Sequence, residues 1–285
     1  SVCRRPLMPA NTLYHAGQST VNAAAHLLFN MDVAWQAPLP DGPKIISPNH
    51  PSTIDPVVLV GLMPERLHIL IDDRLFKVPA LGRYLHAVGH VPVVPARGRD
   101  AFDAVLELLA DGATVAVFPE GQISPLTGGS HPAQTGAARL ALLTGAPIIP
   151  VGIHLDRSRI RLTETMIDGA AAVGTWYTGG PYGVTVGESL HLTGAVQDWD
   201  QVRAESDRVM GRINALAAQS ERRMLAAHAT PTKPAQAIQE YSHEIWQIMR
   251  GTLVYARFAW QWPPVNVRQW AEGWTARRLA DRLSR

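Results

Sequence analysis

Between residues 44 and 153 the chain alternates short apolar runs with segments of helical spacing. Residues 44–47, 67–71, 91–94, 114–118 and 148–153 read as buried strands. Between them, 55–63, 81–87 (after Pro79) and 135–143 carry the spacing of helices. In a fourth helix, Phe102, Val105, Leu106 and Leu109 fall on one face, with Asp100 placed to cap it and Asp111-Gly112 to end it. Ahead of this core, 11–31 reads as one helix, with Leu13, Val21, Ala24, Leu27 and Leu28 favouring one side. The Pro-rich stretch 38–43 is a loop. Past Ile153 the pattern loosens, although 183–186 reads as a strand and 200–227 as a helix. Strands alternating with helices predict an α/β fold. Its sheet is mixed but largely parallel and flanked by helices, with an N-terminal helical segment and a C-terminal helical extension. The expected divisions are 1–43 for the N-terminal helix and loop, 44–227 for the α/β domain and 228–285 for a Trp/Arg-rich helical tail.

Composition narrows the class. With 285 residues, 46% hydrophobic and 18% charged, the chain is long and apolar enough to bury a sizeable core. A formal charge of +2 sets up no global field for nucleic acid. Cys3 is the single cysteine, so neither an internal disulfide nor a thiolate metal site is available, which fits a reducing compartment. Residues 11–31 lack formal charge and are long enough to span a bilayer. They carry Asn11, His15, Gln18, Ser19, Thr20, Asn22, His26 and Asn30, which hydrocarbon penalises. No signal-peptide pattern is evident at the start.

Two polar motifs follow strands. The first is Asn49-His50-Pro51-Ser52-Thr53-Ile54-Asp55-Pro56, and the second is Phe118-Pro119-Glu120-Gly121-Gln122-Ile123-Ser124. In parallel sheets, sites lie beyond the carboxyl ends of strands, where both motifs fall. In the first, a reversing chain brings Asp55 against one imidazole nitrogen of His50 and leaves the other free as a base. The bland alternative is that Ser52, Thr53 or Asp55 only caps the next helix. The same spacing recurs at His68 and Asp73, but His68 lies inside an apolar run and reads as a strand residue. Pro119-Glu120-Gly121 is by itself an ordinary turn. His86 and His90 lack a third ligand for a metal. No Gly-x-Ser-x-Gly elbow, P-loop or dinucleotide fingerprint occurs.

In this order and spacing, the two motifs resemble the glycerolipid acyltransferase family, which includes 1-acylglycerol-3-phosphate and other lysophospholipid acyltransferases. Three further blocks agree: Phe76-Lys77-Val78-Pro79-Ala80-Leu81-Gly82, the strand from Gly89 to Arg97, and the Pro-rich strand from Gly145 to Val151. The resemblance spans roughly residues 12–190. It implies acyl transfer to a lipid hydroxyl, with His50 as base and Asp55 as its orienter. It implies that Glu120 and Gly121 shape the acceptor site, with Asn49 and Ser124 as further substrate-binding positions, and that Arg97 or Arg99 contacts phosphate. No metal or cofactor is implied. The co-substrate is acyl-CoA or acyl-carrier protein, the acceptor a lysophospholipid, and the location a membrane surface on the cytoplasmic side, with no nucleic-acid partner.

This sequence also departs from the family. Members using phosphate-bearing acceptors commonly read Phe-Pro-Glu-Gly-Thr-Arg-Ser, whereas here Gln122 and Ile123 stand where Thr-Arg is usual. A non-phosphate acceptor, a thioester or lipid hydrolase, and a non-catalytic lipid binder therefore stay open. The tail holds Trp246, Trp260, Trp262, Trp270 and Trp274, and from residue 250 on arginines outnumber acids. The stretch 241–261 has the spacing of a helix that packs on the main domain or on a partner. Beyond Pro263-Pro264 the mixture of Trp and Arg favours a membrane interface.

Overall fold

In the computed structural model, residues 10–94, 97–167 and 170–228 are described. Apart from His228, the tail expected at 228–285 lies outside them. Seven strands form one sheet: β1 (Phe29–Trp35), β2 (Lys44–Pro48), β3 (Leu67–Asp72), β4 (Val91–Val93), β5 (Thr114–Ala116), β6 (Ile148–Leu155) and β9 (Gly180–Val186). Across the sheet their order is β1-β9-β6-β2-β5-β3-β4. The five strands from β6 to β4 run parallel. β9 joins β6 antiparallel, and β1 follows β9. This is the mixed, largely parallel sheet the sequence predicts.

The apolar runs make sense because the central strands are buried on both faces. On one face Ile46, Ile69, Ala116, Ile149 and Val151 pack with Tyr14 of α1 (Ala10–Leu28) and with Val58 and Leu59 of α2 (Asp55–Leu62). On the other, Ile45, Val115 and Ile148 meet α5 (Gly98–Ala110), α6 (Gly136–Thr144) and α7 (Trp199–His228). The short α3 (Asp73–Phe76) and α4 (Leu81–Ala87) lie between β3 and β4. α7 sits close on the sheet: a methyl group on Gly152 of β6 would lie 2.0 Å from the Ala217 nitrogen.

Three local expectations change. The helix expected over 11–31 ends at Leu28, and Phe29–Trp35 forms a strand paired in parallel with β9. Phe29, Met31, Val33 and Trp35 alternate with Asn30, Asp32 and Ala34, a period of two hidden behind the apolar helix before it. Asp100 lies inside α5 rather than at its cap, which Arg97 occupies. Finally, the looser stretch after Ile153 contains a separate hairpin of β7 (Ile160–Ile167) and β8 (Ala170–Tyr177), set against the turn after β2.

Two polar side chains of α1, Gln18 and Tyr14, bond to the rest of the protein. Gln18 donates to the Val60 and Met63 carbonyls at 3.1 and 2.7 Å, covering the end of α2. The Tyr14 hydroxyl accepts from the Leu67 amide at 2.8 Å. Among the described residues, no helix is long and apolar enough to cross a membrane.

Candidate active site

The turn leaving β2 is pinned before it reaches His50. Asn49 is buried, and its amide pairs both ways with the backbone of Ile153 on the neighbouring β6. The Asn49 Nδ2 donates to the Ile153 carbonyl at 2.9 Å, and its Oδ1 accepts from the Ile153 amide at 2.7 Å. A side chain so committed fixes the end of one strand to another. The His50 ring then stands 4.2 Å, centroid to centroid, from Phe118, which follows the adjacent β5. Its Nδ1 lies 3.1 Å from Asp55 Oδ2. No protein group among the described residues bonds His50 Nε2, and the side chain is 16% exposed, enough to meet a substrate atom.

Asp55 is fully buried and held by three donors. Oδ2 accepts from the Ser52 amide at 2.7 Å and from His50, and Oδ1 accepts from the Tyr182 hydroxyl at 2.6 Å. A carboxylate bonded in this way turns back into its own loop. The capping alternative is not what forms: Ile54 is the N-cap of α2 and makes no side-chain cap bond. Tyr182, from β9, is also fully buried. Burial above all, reinforced by the Asp55 charge, pushes its phenol pKa well above the ordinary value, so it remains a donor. Ser52 and Thr53 tie the same turn to the hairpin. Ser52 Oγ donates to the Thr175 carbonyl at 2.8 Å and accepts from the Tyr177 amide at 2.9 Å. Thr53 exchanges bonds with Thr175.

The second motif closes against the first. Glu120 is buried. Its Oε1 accepts from the His50 amide at 3.0 Å and the Ser124 hydroxyl at 2.7 Å, and its Oε2 accepts from the His131 amide at 2.7 Å. Ser124 is buried as well, and its amide donates to the His50 carbonyl at 2.7 Å. Gly121 turns the chain at φ +67°, where a side chain is disfavoured. The structure thus brings together Asn49, His50, Asp55, Glu120, Gly121 and Ser124.

Arg97 and Arg99 are placed differently. They stand exposed at the start of α5, and no bond among the described residues links them to His50 or Glu120. Arg97 pairs with Asp100, and Arg99 Nε lies 3.7 Å from Asp103. A cation the sequence did not mark lies closer to the chemistry. Arg157, in the short turn Arg157–Arg159 after β6, is half-buried and donates to the Pro125 and Gly129 carbonyls. Burial lowers its pKa, while the charges of Glu120 and Asp55 favour its charged form. Asp156-Arg157-Ser158-Arg159 reads as a solvated turn, and Tyr182 as an ordinary strand aromatic. Neither carries a local signal of its contact, 127 positions away at Asp55 for Tyr182 and 32 positions away at Pro125 for Arg157. Among the described residues, no three His, Cys, Asp or Glu side chains cluster as a metal site would need.

Such a turn can hold an imidazole in one tautomer and present its second nitrogen to a proton. The family model described as Acyltransferase matches residues 30–154. A chloroplastic 1-acyl-sn-glycerol-3-phosphate acyltransferase of Brassica napus is 31% identical over 117 residues, 40% of this chain and 33% of its own length. The 1-acyl-sn-glycerol-3-phosphate acyltransferase of Bacillus subtilis is 28% identical over 112 residues, 39% of this chain and 55% of its own length. The chain thus spans between a third and about half the length of these relatives. The fold matches the crystal structure of the 1-acyl-sn-glycerophosphate (LPA) acyltransferase PlsC from Thermotoga maritima, with a TM-score of 0.56 and 21% identity, over 79% of this chain and 83% of that one.

Proposed function

We propose that the chain is a member of the glycerolipid acyltransferase family and moves a fatty acyl group from acyl-CoA or acyl-carrier protein to the free hydroxyl of a lysophospholipid, 1-acylglycerol-3-phosphate. The observation that carries this reading is the His50–Asp55 contact at 3.1 Å, with His50 Nε2 unbonded among the described residues. An alcohol is a poor nucleophile near neutral pH because it holds its proton. His50 Nε2 takes that proton as the oxygen attacks the thioester carbonyl. Asp55 holds Nδ1–H and stabilises the imidazolium that forms. When the tetrahedral intermediate collapses, the carbon–sulfur bond breaks and the proton on His50 passes to the departing thiolate. The products are an ester and a free thiol.

The test is release of free thiol from palmitoyl-CoA or oleoyl-CoA together with diacylated lipid product. His50→Ala should lower turnover by about 10²–10⁴-fold while leaving a folded protein. Near-normal turnover in a folded variant removes His50 from the role of base. A second reading is favoured by Ile123, which stands where arginine is usual in phosphate-binding members: acyl transfer to a non-phosphate lipid acceptor. Product from an uncharged acceptor but not from 1-acylglycerol-3-phosphate would select it. Thiol release without acylated lipid would instead identify a hydrolase.

A further inference from the structure

We infer that Arg157 is the cation that binds the acceptor's phosphate monoester, in place of the arginine missing from the Glu120–Ser124 loop; this rests on the acyltransferase reading above. Three observations meet at this side chain. First, β6 lies beside β2 in parallel, so the chain leaving β6 emerges at the same end of the sheet as the His50 turn. Asn49 makes that closeness literal by bonding Ile153, four residues before Arg157. Second, the guanidinium reaches the carbonyls of Pro125 and Gly129, in the loop that continues from Ser124. Ser124 is itself bonded to His50. The cation is thereby fixed to the segment from which an arginine at position 123 would have acted. Third, Arg157 has no ion-pair partner among the described residues, unlike its neighbour Arg159, which pairs with Asp156 at 3.2 Å.

A half-buried guanidinium answered only by two neutral carbonyls retains N–H donors and an unneutralised charge. The fork geometry suits a phosphate's oxygens. The local charge requires such a group. Asp55 and Glu120 are both buried carboxylates of the site, and a phosphate entering beside them without a cation would be repelled. Both carboxylates act on Arg157 in the sense that keeps it charged.

Phosphate also occurs on CoA, so the experiment separates acceptor from donor. Full-length wild type, Arg157→Gln and Arg157→Lys are assayed with oleoyl-CoA and either 1-acylglycerol-3-phosphate or a monoacylglycerol. Arg157→Gln should lower the preference for the phosphate-bearing acceptor, as a ratio of kcat/KM values, by about 10–100-fold, mainly through its KM. Arg157→Lys should recover part of that loss. Equal losses with both acceptors would mean that Arg157 only secures the 125–129 loop, and an increase confined to the KM for oleoyl-CoA would place it on the donor; either overturns the inference. Direct binding of 1-acylglycerol-3-phosphate by calorimetry gives a readout without turnover. Weaker binding to Arg157→Gln supports the inference even if the wild type transfers no acyl group, which would count against the acyltransferase reading alone. Should Arg157→Gln not fold, Arg157→Lys decides: unchanged acceptor affinity and KM against wild type, with lost loop stability, would overturn the phosphate role.

Discussion

Tyr182→Phe isolates one hydrogen bond. The ring packs against Phe29 and Tyr177, with centroids 5.4 and 6.1 Å away, so phenylalanine keeps the shape and removes only the hydroxyl. What is lost is the 2.6 Å bond to Asp55 Oδ1, the only donor that oxygen has among the described residues. Asp55 is fully buried, so water is poorly placed to replace it. A buried hydrogen bond to a charged group contributes about 1.5–3 kcal/mol, so unfolding should become easier by about 2 kcal/mol. In a domain of this size that is a fall in Tm of about 4–8 °C. The catalytic effect follows from geometry. Without a donor on Oδ1 the carboxylate can rotate, and its hold on His50 Nδ1 weakens. Losing about 1.4 kcal/mol of that positioning lowers kcat about tenfold, less than removing His50 itself. Thiol release at saturating acyl-CoA and lysophosphatidic acid measures kcat, and thermal unfolding measures the stability term. A positioning role predicts a lower kcat with little change in either KM. A lower Tm with wild-type kcat would reduce Tyr182 to packing, and a variant unchanged in both would refute the reasoning.

Acid should weaken the far side of the sheet through His90. Burial, then the charges of His68 and Arg66, lowers its pKa from 6.5 to about 4, and its Nδ1 accepts from the Ile69 amide at 3.3 Å only while neutral. The unfolded chain binds this proton near pH 6.5 and the folded chain near pH 4. Stability is therefore fully present above about 6.5 and is lost as pH falls towards 4, by about 3 kcal/mol in all. His90→Asn keeps an acceptor for Ile69 and should flatten Tm against pH in that window; an unchanged slope would exclude His90 as its source. For the tail, deleting residues 263–285 should reduce partitioning onto anionic liposomes, because its Trp and Arg residues suit a membrane interface. Equal partitioning of the shortened chain would assign the tail to packing instead.

The parallel core was legible because β2, β3, β5 and β6 are compact apolar runs, and a strand buried on both faces has no polar face to disguise it. The His50 and Glu120 loops were legible for a related reason: polar residues directly after such runs must lie at the sheet's carboxyl edge. Two strand regions were missed despite local signals. β1 alternates apolar and polar residues but follows an uncharged helix, and β7 begins by alternating Ile160 and Leu162 with Arg161 and Thr163 before Glu164 breaks the pattern. Tyr182 and Arg157 are a different case. Their roles arise from which strands become neighbours: β9 must close on β6 before Tyr182 can meet Asp55, and no periodicity within β9 announces that contact.

Glu120 shows how burial reassigns a residue that position alone marks for substrate. A carboxylate on a Pro-Gly turn beyond a strand invites a ligand, yet both its oxygens already serve three donors: the His50 amide, the Ser124 hydroxyl and the His131 amide. Those donors come from the turn after β2, from its own loop and from eleven residues further on. Glu120 therefore joins the two motifs into one body. The number of acceptors explains the residue type. The donors arrive on both oxygens, whereas an amide offers one acceptor oxygen and turns its NH2 toward a donor. Glutamine would thus leave at least one buried N–H or O–H facing another donor. The side chain that binds the His50 backbone and the one that binds its ring, Asp55, are both buried acids with every oxygen engaged. Their charges converge on a site whose nearby half-buried cation is Arg157, so His50 is held at its backbone by Glu120 and at its ring by Asp55, while Nε2 stays unbonded among the described residues.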